Sequence, residues 1–98
     1  MMNCSGYEFE GPYTDMGQLK NAPGVFLVLT AVNGLGWSFI EVGESENIRN
    51  AVAQADIRKW NLQNRGIIGI AVHYNEDGPQ SRLSMLEHIS ASMDLPKA

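Results

Sequence analysis

Two glutamates, Glu41 and Glu87, have the side-chain chemistry of a divalent-cation site should the fold bring them together. Glu41 lies near the end of the β-forming run Trp37 to Val42, and Glu87 sits within RLSMLEHI, a segment of helical character. Two carboxylates completed by water make an oxygen-rich site for Mg2+ or Mn2+. Such an ion can activate water against a phosphodiester. Glu44 is a weaker third carboxylate, and His88, although next to Glu87, points elsewhere on a helix. A second group is basic: Arg58, Lys59 and Arg65 flank Trp60. Cations neutralise phosphates and an aromatic ring stacks on bases, so these four are the candidate contacts to a ligand. The plainer reading of DIRKWNLQNRG is a solvated, weakly basic loop that Trp60 pins onto the core. His73 closes an apolar run and reads as an ordinary strand histidine. Cys4 is the lone cysteine, which excludes an internal disulfide and a thiolate zinc cluster.

The elements that must position these groups are legible from pattern. Residues 25–29 (VFLVL) are a continuous β-branched and aromatic run, the composition of a strand buried on both faces. Asn33-Gly34 and Gly36 supply a reversal, and a second strand follows from Trp37 to Val42, closed by Gly43. Ser45 is the expected helix cap, with Glu46 in the first turn. Ile48, Ala51, Val52 and Ala55 recur at the spacing of an amphipathic helix. Ile67 to Tyr74 (IIGIAVHY) is the third strong strand. NEDGP is a loop, and a last helix starting at or near Pro79 carries the stripe Leu83, Leu86, Ile89, Met93, with Pro96 ending the ordered region. Upstream, residues 1–6 are expected to fray, and residues 7–10 form at best a short edge strand that Gly11-Pro12 breaks. Thr14-Asp15 begins a turn or two of helix through Lys20. The expected architecture is one α+β domain over residues 1–98. It has an N-terminal extension (1–21) and a core (22–96) of order β-β-α-β-α, a small three-stranded, mainly antiparallel sheet flanked by helices.

This arrangement resembles the GIY-YIG nuclease superfamily. Gly24-Val25-Phe26 sits where that family has its G-I-Y strand, and Glu41-Val42-Gly43 where it has Y-I-G, followed by ES-x-N-I-R at the helix start. Glu87 matches the family's metal-binding glutamate. The resemblance implies two strand tyrosines that position or activate the attacking water, and a helix arginine that steadies the phosphate. It further implies a histidine one turn later and a glutamate holding one metal ion. In this sequence the tyrosines are replaced by Phe26 and Glu41, the arginine position falls on Ala51 and the histidine position on Ala55. A phenyl ring cannot move a proton, and methyl groups stand where the family has cations. Arg49 lies about 200° round the helix from Ala51, and Arg58 about 10 Å along it, so neither replaces the lost arginine. Losing one donor of this kind costs about 10²–10³ in rate.

Composition narrows the function classes. The chain has 98 residues, of which 44% are hydrophobic and 18% charged, so it is long enough for one core and is not a disordered type. A net charge of −4 and a pI near 4.9 disfavour a nucleic-acid partner, since affinity for phosphate backbones comes from clustered Lys and Arg. No apolar stretch approaches a membrane span, and MMNCSGYEFE lacks the basic start and apolar centre of a secretory leader. The expected setting is cytoplasmic. The expected function is a catalytically inactive or strongly impaired GIY-YIG-like domain that binds a protein or peptide partner or a second copy of itself. The alternative is an atypical Mg2+- or Mn2+-dependent endonuclease or phosphoesterase using Glu41 and Glu87.

Overall fold

The structure, a computed structural model, describes residues 2–31, 36–54 and 67–98. It contains the strands β1 (Met2–Cys4), β2 (Tyr7–Tyr13), β3 (Gly24–Ala31), β4 (Trp37–Ser45) and β5 (Ile67–Tyr74). Two α-helices, α1 (Ile48–Gln54) and α2 (Pro79–Met93), accompany them, with a 3-10 turn at Met16–Gln18. The strands form one sheet in the order β1-β2-β5-β3-β4, antiparallel at every pairing.

Alternation of side chains along the strands builds two cores, one on each face. On one face Cys4, Phe9, Val25, Leu27, Leu29, Val42 and Ala71 pack against Met85, Leu86 and Ile89 of α2. On the other, Phe26, Val28, Ile70 and Val72 pack against Ile48 and Val52 of α1 and against Leu19. β3, buried from Gly24 through Thr30, is the shared wall, which is why its sequence shows no polar alternation. The C-cap of α2 is Asp94 in the left-handed region (φ 52°), with its N–H bonded to Ser90.

The expectation of a three-stranded sheet is overturned: the sheet has five strands, and the two extra ones come from the segment read as an extension. Ser5 (φ 53°) and Gly6 (φ 88°) both have positive φ, the geometry of a two-residue hairpin turn, and Cys4 pairs with Tyr7 across it. Residues 2–4 are therefore paired rather than frayed. β2 is flanked by β1 and β5, so it is no edge strand. It also runs through Gly11-Pro12, where the register slips between Glu10↔Val72 and Tyr13↔Ile70. A bulge absorbs the proline that would otherwise break the ladder. The turn after it is 3-10, capped by Asp15, whose Oδ1 accepts from Gly17 N at 2.9 Å.

Four local expectations also change. β4 continues through Gly43 to Ser45. Asn47 rather than Ser45 caps α1: its Oδ1 accepts from Asn50 N at 3.0 Å, while Ser45 Oγ accepts from Asn47 N one turn earlier. The first N–H groups of α1 donate to carbonyls of the 20–22 turn, Ile48 to Ala22 (3.0 Å) and Arg49 to Lys20 (3.3 Å). In α2 the buried set is Arg82, Met85, Leu86 and Ile89, and Leu83 is exposed. Pro96 does not end the ordered chain, because residues 96–98 lie along β4. The Asn33-Gly34 reversal lies outside the described residues.

Candidate functional site

The described positions singled out by the family resemblance fall on β3, β4, α1 and α2. Phe26 stands directly opposite Gly43 in the β3–β4 ladder and opposite Val72 in the β3–β5 ladder. With no side chain at Gly43, the Phe26 ring lies against its α-carbon; a Cβ there would run into the ring and stand 3.0 Å from Ala98 Cβ. The ring is buried with Leu19, Ile48, Val52 and Val72. Ala51 sits half-buried on α1, next to Val52 in sequence. An apolar cluster of this kind offers a phosphate no compensating charge, and desolvating an anion there is costly.

Glu41 is paired with Val28, whose side chain belongs to the α1-side cluster, so Glu41 is directed to that face. It is buried, and it makes an interaction of its own. Glu87 lies on the exposed side of α2, the helix that covers the opposite face, and its Oε1 is 2.7 Å from Lys97 Nζ. The sheet thus stands between the two carboxylates. Glu44 is committed elsewhere: its Oε2 accepts from Arg82 Nε at 3.0 Å. Among the described residues, no group of three or more His, Cys, Asp and Glu side chains is arranged to hold a metal ion. Ala55, Arg58, Lys59, Trp60 and Arg65 lie outside the described residues.

Two features escaped the sequence reading. The first is Arg82, whose guanidinium is buried between α2 and β4 with only Glu44 partly reaching water. A charged residue on the core side of a helix contradicts the apolar pattern, and its signal is the partner two elements away. The second is an aromatic cluster on the α2 side. Tyr7 meets His73 and His88 edge-on, with ring centroids 6.0 and 5.9 Å apart, and Phe9 lies 5.9 Å from His73. His73 Nδ1 lies 2.8 Å from the Glu8 carbonyl, which can only accept, so that nitrogen carries the proton. Beside this cluster Cys4 is buried, and burial pushes its thiol above the ordinary value of 9.0 despite an opposing hydrogen bond from Ser5. On the other face Tyr13 donates to Glu10 Oε1 at 3.0 Å, and that carboxylate holds the phenol above its usual value.

No family model, no characterised protein and no solved structure matches the chain. None of its described helices is long and apolar enough to cross a membrane.

Proposed function

We propose that this chain acts by binding, as an interaction module descended from a GIY-YIG-like pattern whose chemistry has been lost. The observation that carries this reading is Phe26. At the position where the family resemblance calls for a tyrosine hydroxyl, a phenyl ring is closed against Gly43 within an apolar cluster. No proton can be moved from that ring, and the small half-buried Ala51 adds no cation to hold a phosphate. The separation of Glu41 from Glu87 by the sheet, and the pairing of Glu87 with Lys97, support the same reading. The partner we favour is a protein or peptide, because the net charge of −4 works against a nucleic-acid backbone.

The test is a Mn2+ titration followed by amide NMR on the wild type and Glu87→Gln, with nuclease assays under the same conditions. Binding without chemistry predicts no cleavage and no broadening centred on residues 41 and 87. Broadening at both residues that disappears in Glu87→Gln, together with cleavage lost in the same variant, would replace this reading with that of a metal-dependent phosphoesterase.

A further inference from the structure

The last residues of the described chain make an isolated parallel β-bridge to the outer edge of β4. Asp94 turns the chain out of α2 through its left-handed conformation, and Leu95 N bonds back to Ser90 O at 3.0 Å. Leu95 packs against the α2-side core. Val42 N then donates to Pro96 O at 3.1 Å and Ala98 N donates to Val42 O at 2.7 Å, a parallel bridge centred on Lys97. The Lys97 ammonium reaches Glu87 on α2. Proline stops the ladder there, since a further rung would need an N–H from residue 96 to the Ile40 carbonyl.

What recognises this tail is generic in chemistry and specific in spacing. It comprises two main-chain groups of Val42, an apolar seat for residue 95, and a carboxylate at the position reached by residue 97. We propose that this edge of β4 is a strand-addition site for an extended segment of a partner protein. That segment has an apolar side chain followed two residues later by a basic one, and the chain's own Leu95-Pro96-Lys97 fills the site in its absence. Main-chain pairing supplies the affinity and the two side chains the selection. The resident tail is exchangeable because its hold on the sheet edge is small: two main-chain bonds at Val42, one partly buried leucine, and an ion pair whose side chains are 46% and 64% exposed, while its other bonds, Leu95 N to Ser90 O and Ser90 Oγ to Leu95 O, run to the end of α2 and not to β4. Its advantage is tethering, which gives a short linked segment an effective concentration in the millimolar range. The site lies at the sheet edge and adjoins the Phe26 cluster at Gly43, which has the Phe26 ring and Ala98 on either side of the space a Cβ would take, but peptide binding there does not depend on whether that cluster has any activity.

The experiment keeps the full chain and unseats its tail with the double substitution Leu95→Ser, Lys97→Glu. A fluorescent peptide of sequence DLPKA is titrated against both proteins by anisotropy, with the Val42 amide followed by NMR. The variant should bind the peptide at least tenfold more tightly than the wild type, because the competing tail is removed, and the Val42 amide should shift on binding. A peptide with serine in place of leucine should bind about tenfold more weakly. A peptide with glutamate in place of lysine should lose about fivefold, less at high salt. In a chain that also carries Glu87→Lys, the glutamate peptide should become the better ligand of the two. Equal affinity of wild type and variant, no binding by the variant up to millimolar peptide, or indifference to the Glu87 charge swap would each overturn the proposal. Should the variant lose its fold, recovery on adding the peptide supports the site, and failure to recover overturns it by making the tail a fixed part of the core.

Discussion

Replacing Glu44 with alanine isolates one buried charge. The Arg82 side chain is 4% exposed and Glu44 is 26% exposed, with Nε and Oε2 3.0 Å apart. Without the carboxylate, the guanidinium remains between α2 and β4 with its charge uncompensated. Breaking a buried pair by removing one partner costs about 3–5 kcal/mol. Since Glu44 itself touches water, solvent entering the vacated space recovers part of that, and about 2–3 kcal/mol is the expected loss. For a domain of this size each kcal/mol moves the midpoint of thermal unfolding by about 4–8 °C, so Glu44→Ala should lower Tm by about 10–20 °C. The double variant Glu44→Ala, Arg82→Met removes both charges and should recover most of the loss, because an apolar pair of similar size is often as stable as the buried ions. The measurement is thermal and urea unfolding of the wild type, both single variants and the double, closed as a thermodynamic cycle. A loss under about 0.5 kcal/mol for Glu44→Ala, the range of surface substitutions, would refute the reasoning. So would a double variant no more stable than the single.

Other outcomes follow from single contacts. Thr30 is buried and its Oγ1 has no hydrogen-bond partner among the described residues, so the near-isosteric Thr30→Val should stabilise the fold by about 1 kcal/mol in urea unfolding. Gly43→Ala would drive a Cβ into the Phe26 ring and towards Ala98 Cβ, and should cost about 1–3 kcal/mol by the same assay. Glu87→Ala removes an exposed ion pair and should change stability by less than about 1 kcal/mol. Cys4 should resist alkylation by maleimide in the native state and react once urea unfolds the chain. Its raised thiol also sets a sign: above about pH 9 the unfolded chain releases the proton while the folded chain retains it, so stability falls as pH rises there. Cys4→Ala should flatten that alkaline slope.

The parts of the fold legible in the sequence were those in which one pattern dominates. VFLVL and IIGIAVHY are long apolar runs with no competing helical spacing, and they became β3 and β5. The N-terminal strands were hidden because their signals are short and interrupted. The Ser5-Gly6 hairpin joins strands of three and seven residues, and Gly11-Pro12 reads locally as a stop although a bulge accommodates it. The expected stripe on α2 was right at Leu86, Ile89 and Met93 but not at Leu83, which is exposed, because Arg82 takes the core position beside it, a placement that Glu44, far off in sequence, makes tolerable. Pro96 was read as an end for the right local reason, since it cannot extend a ladder, yet its carbonyl still accepts from Val42. For the candidate site, the family resemblance pointed to Phe26, Glu41 and Glu87. It could not say that the alternation of β4 sends Glu41 to one face while the neighbouring Val42 meets the helix bearing Glu87 on the other.

The strand order carries a consequence for how the molecule comes into being. β5 lies between β2 and β3, pairing Val72 with Glu10 on one side and with Phe26 on the other. The two hairpins made earlier during synthesis, β1-β2 and β3-β4, therefore have no sheet in common until β5 emerges and joins them. Such long-range closure is slow compared with local pairing. Until it happens, the inner edges of β2 and β3 are open to any strand that arrives first. β5 is the keystone of assembly, and a peptide of its sequence supplied in trans to a chain arrested before Ile67 should be the piece that draws the two hairpins into one sheet.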